Sequence, residues 1–168
     1  MESVERQFLS ISARHLRDDY LPKIREAVEL LSDEEIWARE GDTTNSIGNL
    51  LMHLTGNVRQ HILSGIGERP DERNRPKEFS TKGGVPKAAL MRDVEHAVLE
   101  AFHTIATLDP KRLSDEYVVQ GNKVTVLQDI YHVVEHFAYH TGQIVHMVKA
   151  MKRHAFPWHA HLEASEKI

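Results

Sequence analysis

The chain predicts an all-α fold, a four-helix bundle with a long loop between its second and third helices. Three observations predict it. Four stretches carry apolar residues at helical spacing, Gly- and Pro-rich clusters separate them, and only YVVQGNKVTV is β-prone. The first helix is expected from about Glu2 to Leu31, with Pro22 breaking or kinking it. The second follows the capping candidates of DTTNS and runs from about Ile47 to Leu63, where Gly65 and Gly67 are expected to stop it. The segment GIGERPDERNRPKEFSTKGGVP is too rich in Gly, Pro and charge for a regular element. A loop of that length is either a functional cover over a site or a surface excursion. The third helix is expected from near Pro86 to about Ala106, with Val94, Val98, Ala101 and Ile105 as its apolar stripe. YVVQGNKVTV then predicts a small hairpin about Gly121–Asn122. Thr125 and Gln128 have capping-box spacing and open the fourth helix, which runs to about Met151. The tail, HAFPWHAHLEASEKI, is expected to cover one end of the bundle.

A length of 168 residues favours one domain spanning 1–168. With 25 acidic and 21 basic residues the net charge is −4, too mild a balance to argue for nucleic acid or an acidic membrane surface as partner. No apolar run approaches a membrane span, and MESVERQFLSISARHLRDD lacks the apolar region of a signal peptide, so a cytoplasmic location is expected. The absence of cysteine excludes disulfides, thiolate ligands and cysteine nucleophiles. The unusual number is 12 histidines.

Three of them, His132, His136 and His140, recur at four-residue intervals in HVVEHFAYHTGQIV. Composition alone predicts roughly 0.8 such pairs, so spacing by itself is weak. Angle around the helix says more. With about 100° per residue, Val126, Ile130, Val133, Phe137, Ile144 and Val148 form a narrow stripe. His140 lies about 80° and His136 about 120° to one side of it, along the flank of the core, whereas His132 and His146 fall about 160° away, towards solvent. Two imidazoles one turn apart on one face suit a single ion. In SIGNLLMHLTGNVRQHI, His53 lies about 120° from Ile47, in the same angular relation to its stripe, and can face the pair across the bundle. Taken singly, each of the three is more often a half-exposed histidine with a backbone hydrogen bond.

The segments NLLMHLTGNVRQHI and HVVEHFAYHTGQI together resemble the DinB-like superfamily of helical-bundle metalloproteins, and in particular one of its functionally uncharacterised bacterial subfamilies. The resemblance extends through YLPKIREAVELLSDEEIWARE and GERPDERNRPKEF, most of the chain. It implies a divalent metal held by one histidine of the second helix and an HxxxH pair of the fourth, here His53, His136 and His140. The helical wheels single out the same three.

Three neutral imidazoles leave at least one coordination position open, which marks a catalytic rather than a structural site. All-imidazole ligation suits zinc, nickel, copper or iron(II), with zinc or nickel expected. The resemblance further implies a metal-dependent enzyme, including thiol-dependent transferases that take low-molecular-weight thiols. The competing reading is a non-catalytic, metal-dependent binding or stress-response protein. Asn57 and His61 follow His53 down its stripe and are the candidate substrate contacts, the alternatives being a helix-to-helix hydrogen bond for Asn57 and core packing for His61. Gln143, one turn beyond His140, is either a support for it or solvated. Glu135 and Tyr139 are expected at the surface, and Arg59 and Arg69 are candidate guides for an anion. A homodimer is expected from the resemblance and from Phe156 and Trp158, which need cover unless they cap their own bundle.

Overall fold

The computed structural model describes residues 2–158, and it is mostly helical with one small hairpin. Helix α1, Val4–Arg14, is capped by the Ser3 hydroxyl, which accepts from the Arg6 amide. The chain continues without a break through a wide π-helical turn, His15–Tyr20, into α2, Leu21–Glu29. Pro22 therefore does not end the helix. It lacks an amide proton and would crowd the carbonyl four residues back, and the wide turn just before it, closed by the Leu21 amide on the Leu16 carbonyl, accommodates both problems.

Helix α3, Ile47–Val58, starts at a capping box of Ser46 and Asn49 and passes into a second π-helical segment, Arg59–Ile66, closed by the Gly67 amide on the Ile62 carbonyl. Gly67 stops the helix as expected, but Gly65 does not. A Cβ at Gly65 would lie 2.7 Å from Cε2 of Tyr117, so this glycine makes room for a ring. Within the segment expected to be irregular lies a short helix, α4, Arg75–Ser80, started by Asn74 and carrying Pro76 in its first turn.

Helix α5, Lys87–Thr107, follows Pro86 and buries Val94, Val98, Ala101 and Ile105. Strands β1, Glu116–Val119, and β2, Asn122–Thr125, pair antiparallel, with Glu116 opposite Thr125. Their turn is Gln120–Gly121, both at positive φ, one residue earlier than the sequence indicated. Helix α6, Val126–Lys152, begins at the expected capping box of Thr125 and Gln128.

Helix α3 packs on α5 and α6, α1 on α5, and α2 on α6. Between them runs one apolar core that includes Leu9, Ile24, Leu50, Leu54, Val98 and Phe137. The predicted stripe of α6 is buried at all six positions. In the tail, Phe156 packs partly against this core, and Trp158 stacks on Phe156 and donates to Glu26. Those aromatics thus use the chain's own surface; residues 159–168 lie outside the described residues. No described helix is long and apolar enough to cross a membrane.

One buried residue ties the loop helix to the rest. Asn49 donates from Nδ2 to the carbonyls of Glu78 and Thr81, each at 2.8 Å, and its Oδ1 accepts from Arg39 at 2.8 Å. Replacing Asn49 by Ala strips partners from buried carbonyls and a guanidinium, so it should destabilise the fold by roughly 2–3 kcal/mol. The expected outcome is a lower urea midpoint with unchanged slope, together with faster amide exchange in α4.

Candidate metal centre

The antiparallel run of α3 beside α6 sets His53 against His136 and His140. His53 is almost fully buried, and the other two are half-buried. Their ring centroids lie 4.8 Å (His53–His136), 5.1 Å (His53–His140) and 4.5 Å (His136–His140) apart. One ligand atom from each falls within 4.8 Å of the others, so the three could hold a metal ion.

Each partner bond favours the nitrogen that faces the centre. His53 donates from Nδ1 to Glu78 Oε2 at 2.8 Å, which leaves Nε2 as a lone pair. His140 donates from Nδ1 to Gln143 Oε1 at 3.0 Å, with the same consequence. Gln143 therefore supports His140 rather than being merely solvated. The Nε2 atoms of His53 and His136 approach to 3.0 Å. Two lone pairs repel at that separation unless a proton or a cation lies between them. Two imidazole nitrogens each about 2.1 Å from one ion, at roughly 90°, would sit that far apart. The donor set fits a divalent transition metal.

Glu78 is the residue that sequence reasoning missed. Arg73 grips it through Nε to Oε1 at 2.7 Å and Nη2 to Oε2 at 3.0 Å. Burial pushes the Glu78 carboxyl up, but the hydrogen bonds from His53 and Arg73 outweigh this and hold it below its ordinary value. Its approach to α3 depends on Gly56, where a Cβ would lie 2.1 Å from Glu78 Oε1. Two signals were present in the sequence: an isolated glycine inside a helical pattern, and the Asn74–Pro76 helix start inside the loop.

A family model described as "Protein of unknown function (DUF1572)" matches residues 3–161. The chain belongs to that family. No protein with a curated description matches the chain. The DUF1572 match spans α1 to α6 and thus includes all three histidines, Arg73 and Glu78.

The remaining candidates divide. Asn57 is buried, and its Oδ1 accepts no hydrogen bond; His136 Nδ1 is likewise buried without a partner. His61 is buried but is not simply packed in the core, because its Nδ1 donates to Asp129 Oδ1 at 2.7 Å. His132, Glu135 and Tyr139 are exposed, as expected. Arg59 and Arg69 lie near Asp93 and Glu100 respectively, at the rim of a cavity of about 550 Å³ that Arg73 and Glu78 also line. None of the three clustered histidines lines that cavity.

Burial lowers His136 from 6.5 to about 3, with the neighbouring His140 and His53 adding to the effect, and burial also lowers His140. In the unfolded chain each imidazole titrates near 6.5. Between about 3 and 6.5 the unfolded state therefore binds a proton that the folded site refuses, so stability rises with pH. The contribution is fully present above about pH 6.5 and is lost as pH falls towards 3. Chelator-treated protein should show a melting temperature that falls from pH 6.5 to 4.5, and His136→Gln should flatten that slope. An unchanged slope in the variant would contradict the assignment. Separately, Arg73→Met leaves the Glu78 carboxylate buried and unpaired, and should cost about 3 kcal/mol in a urea titration, more than Glu78→Gln.

Proposed function

We propose that this protein is a DinB-like four-helix bundle that holds one divalent metal ion, zinc or nickel, through His53, His136 and His140. The ion would serve a reaction on a small-molecule substrate. The observation that carries this reading is the convergence of three imidazoles, two with their outer nitrogens already committed to Glu78 and Gln143. A carboxylate or amide behind each ligating imidazole fixes its tautomer and raises its basicity. When bound, the metal would supply Lewis acidity at a position the protein leaves open, suited to activating a water or a thiol.

The chain's own residues do the positioning. Arg73 and Glu78 keep the proton of His53 on Nδ1, Gln143 does the same for His140, and burial keeps His136 neutral and ready to donate a lone pair. Asn57, with a free buried acceptor one turn beyond His53, is the candidate substrate contact. A thiol-dependent transfer is the form of chemistry that the DinB-like resemblance supports.

One observation favours a second reading, a non-catalytic protein stabilised by its metal: the large cavity opens on Arg73 and Glu78, not on the histidines. Elemental analysis separates binding from its absence. Protein purified without nickel chromatography should carry one tightly held ion per chain. His53→Ala, His136→Ala and His140→Ala should each abolish it, and His132→Ala should retain it. Retention in His53→Ala would reject the site. Turnover in a thiol-transfer screen, lost on metal removal, then favours the enzyme over the structural reading.

A further inference from the structure

Two buried histidines lie on the α3 side, eight residues apart, and the three-histidine centre uses only His53. His61 sits in the π-helical segment Arg59–Ile66, a conformation frequent at functional sites. It is built in the same way as His53. Its Nδ1 donates to the buried carboxylate of Asp129, whose other oxygen accepts from the Tyr117 hydroxyl. Burial holds that hydroxyl far above its ordinary pKa, so it stays a donor, and Asp129 is left to orient the imidazole.

The other ring nitrogen of His61, Nε2, faces the hairpin turn. The exposed Gln120 side chain, at the hairpin turn, lies with its Nε2 3.3 Å from His61 Nε2. The neighbouring ring is that of His132, exposed on α6, at a centroid separation of 5.3 Å. Two imidazoles on one zinc-like ion at a tetrahedral angle place their centroids about 5 Å apart. The three pairs of the first cluster lie between 4.5 and 5.1 Å, so the His61–His132 pair belongs to the same range within a few tenths.

We propose that His61 and His132 form a second, two-imidazole site for a divalent transition-metal ion. The site uses none of the residues of the His53 cluster but adjoins it, since the His132 ring lies 5.6 Å from that of His136. Imidazole donors select zinc, copper(II) or nickel over magnesium or calcium, which take oxygen ligands. No third His, Asp, Glu or Cys converges on this pair among the described residues, so water completes the coordination and the ion is held more weakly than the first. Gln120 gives way on binding, which its exposed position at the turn permits. The oriented carboxylate separates this pair from chance neighbours on the surface, because a ligating histidine characteristically donates its other N–H to such a group.

Zinc titration calorimetry on the untagged full chain tests the proposal, and it does so independently of the first site. The expected result is two binding events. His132→Ala, at an exposed position that leaves the core undisturbed, removes the weaker event and keeps the tighter one. His61→Gln does the same, while His53→Ala removes the tighter event and keeps the weaker. Asp129→Asn weakens the second event about tenfold, with retention of the first event as the check that the variant is folded. A wild-type titration that lacks the weaker event overturns the proposal. So does a second event that survives His132→Ala or ignores Asp129→Asn, since either means adventitious zinc on surface histidines. A wild-type titration that shows only the weaker, His132-dependent event would instead reject the three-histidine centre and leave this site standing.

Discussion

Glu78 reaches over Gly56 to take the Nδ1 proton of His53, and Arg73 neutralises it from the other side. Much of the site's organisation follows from this buried group. Without Arg73 a carboxylate so nearly enclosed would itself be a liability, and without Glu78 the imidazole would be free to present either nitrogen. The pair also makes a six-residue helix worth forming inside a segment of poor intrinsic propensity. Asn49, at the start of α3, anchors the same helix through two backbone carbonyls. The loop and the histidine helix are thereby one rigid unit behind the candidate centre.

The opposite wall is provided by α6 and is shaped by packing rather than by charge. Val133, Phe137 and Ile144 fill the core, and this turns His136 and His140 along its flank. Burial then disfavours the imidazolium form of His136 and His140, so these two enter physiological pH as neutral lone-pair donors. A set of neutral donors facing one another at 3.0 Å is poorly satisfied without a cation or a shared proton. Packing energy from the apolar stripe is thus what holds three mutually unfavourable groups together, a common way for a fold to prepare a binding site.

The same construction recurs one π-helical segment along, where Asp129 and Tyr117 stand behind His61 as Glu78 and Arg73 stand behind His53. In one case the carboxylate comes from a loop helix. In the other it comes from the first turn of α6, steadied by the hairpin through Tyr117, whose ring fits over Gly65. The hairpin is therefore more than a connection: it supports the far end of the histidine row.

Much of this was legible in the residues alone. The helices, the cap offered by DTTNS, the capping box at Thr125, the hairpin and the buried stripe of α6 are local or periodic features, and local physics is sufficient to write them. So is the grouping of His53, His136 and His140, since an angle about a helix axis depends only on spacing. Three things required the tertiary structure. Pro22 reads as a breaker, but a π-turn absorbs it, and a widened turn leaves no mark in a 3.6-residue pattern. The segment around Glu78 reads as loop, because a six-residue helix has too few residues to show periodicity and is stabilised by Asn49 from elsewhere. His61 reads as a stripe residue, because its partner Asp129 lies 68 positions away. Spacing along a chain determines which side chains share a face; which carboxylate stands behind each imidazole is decided only when distant segments pack.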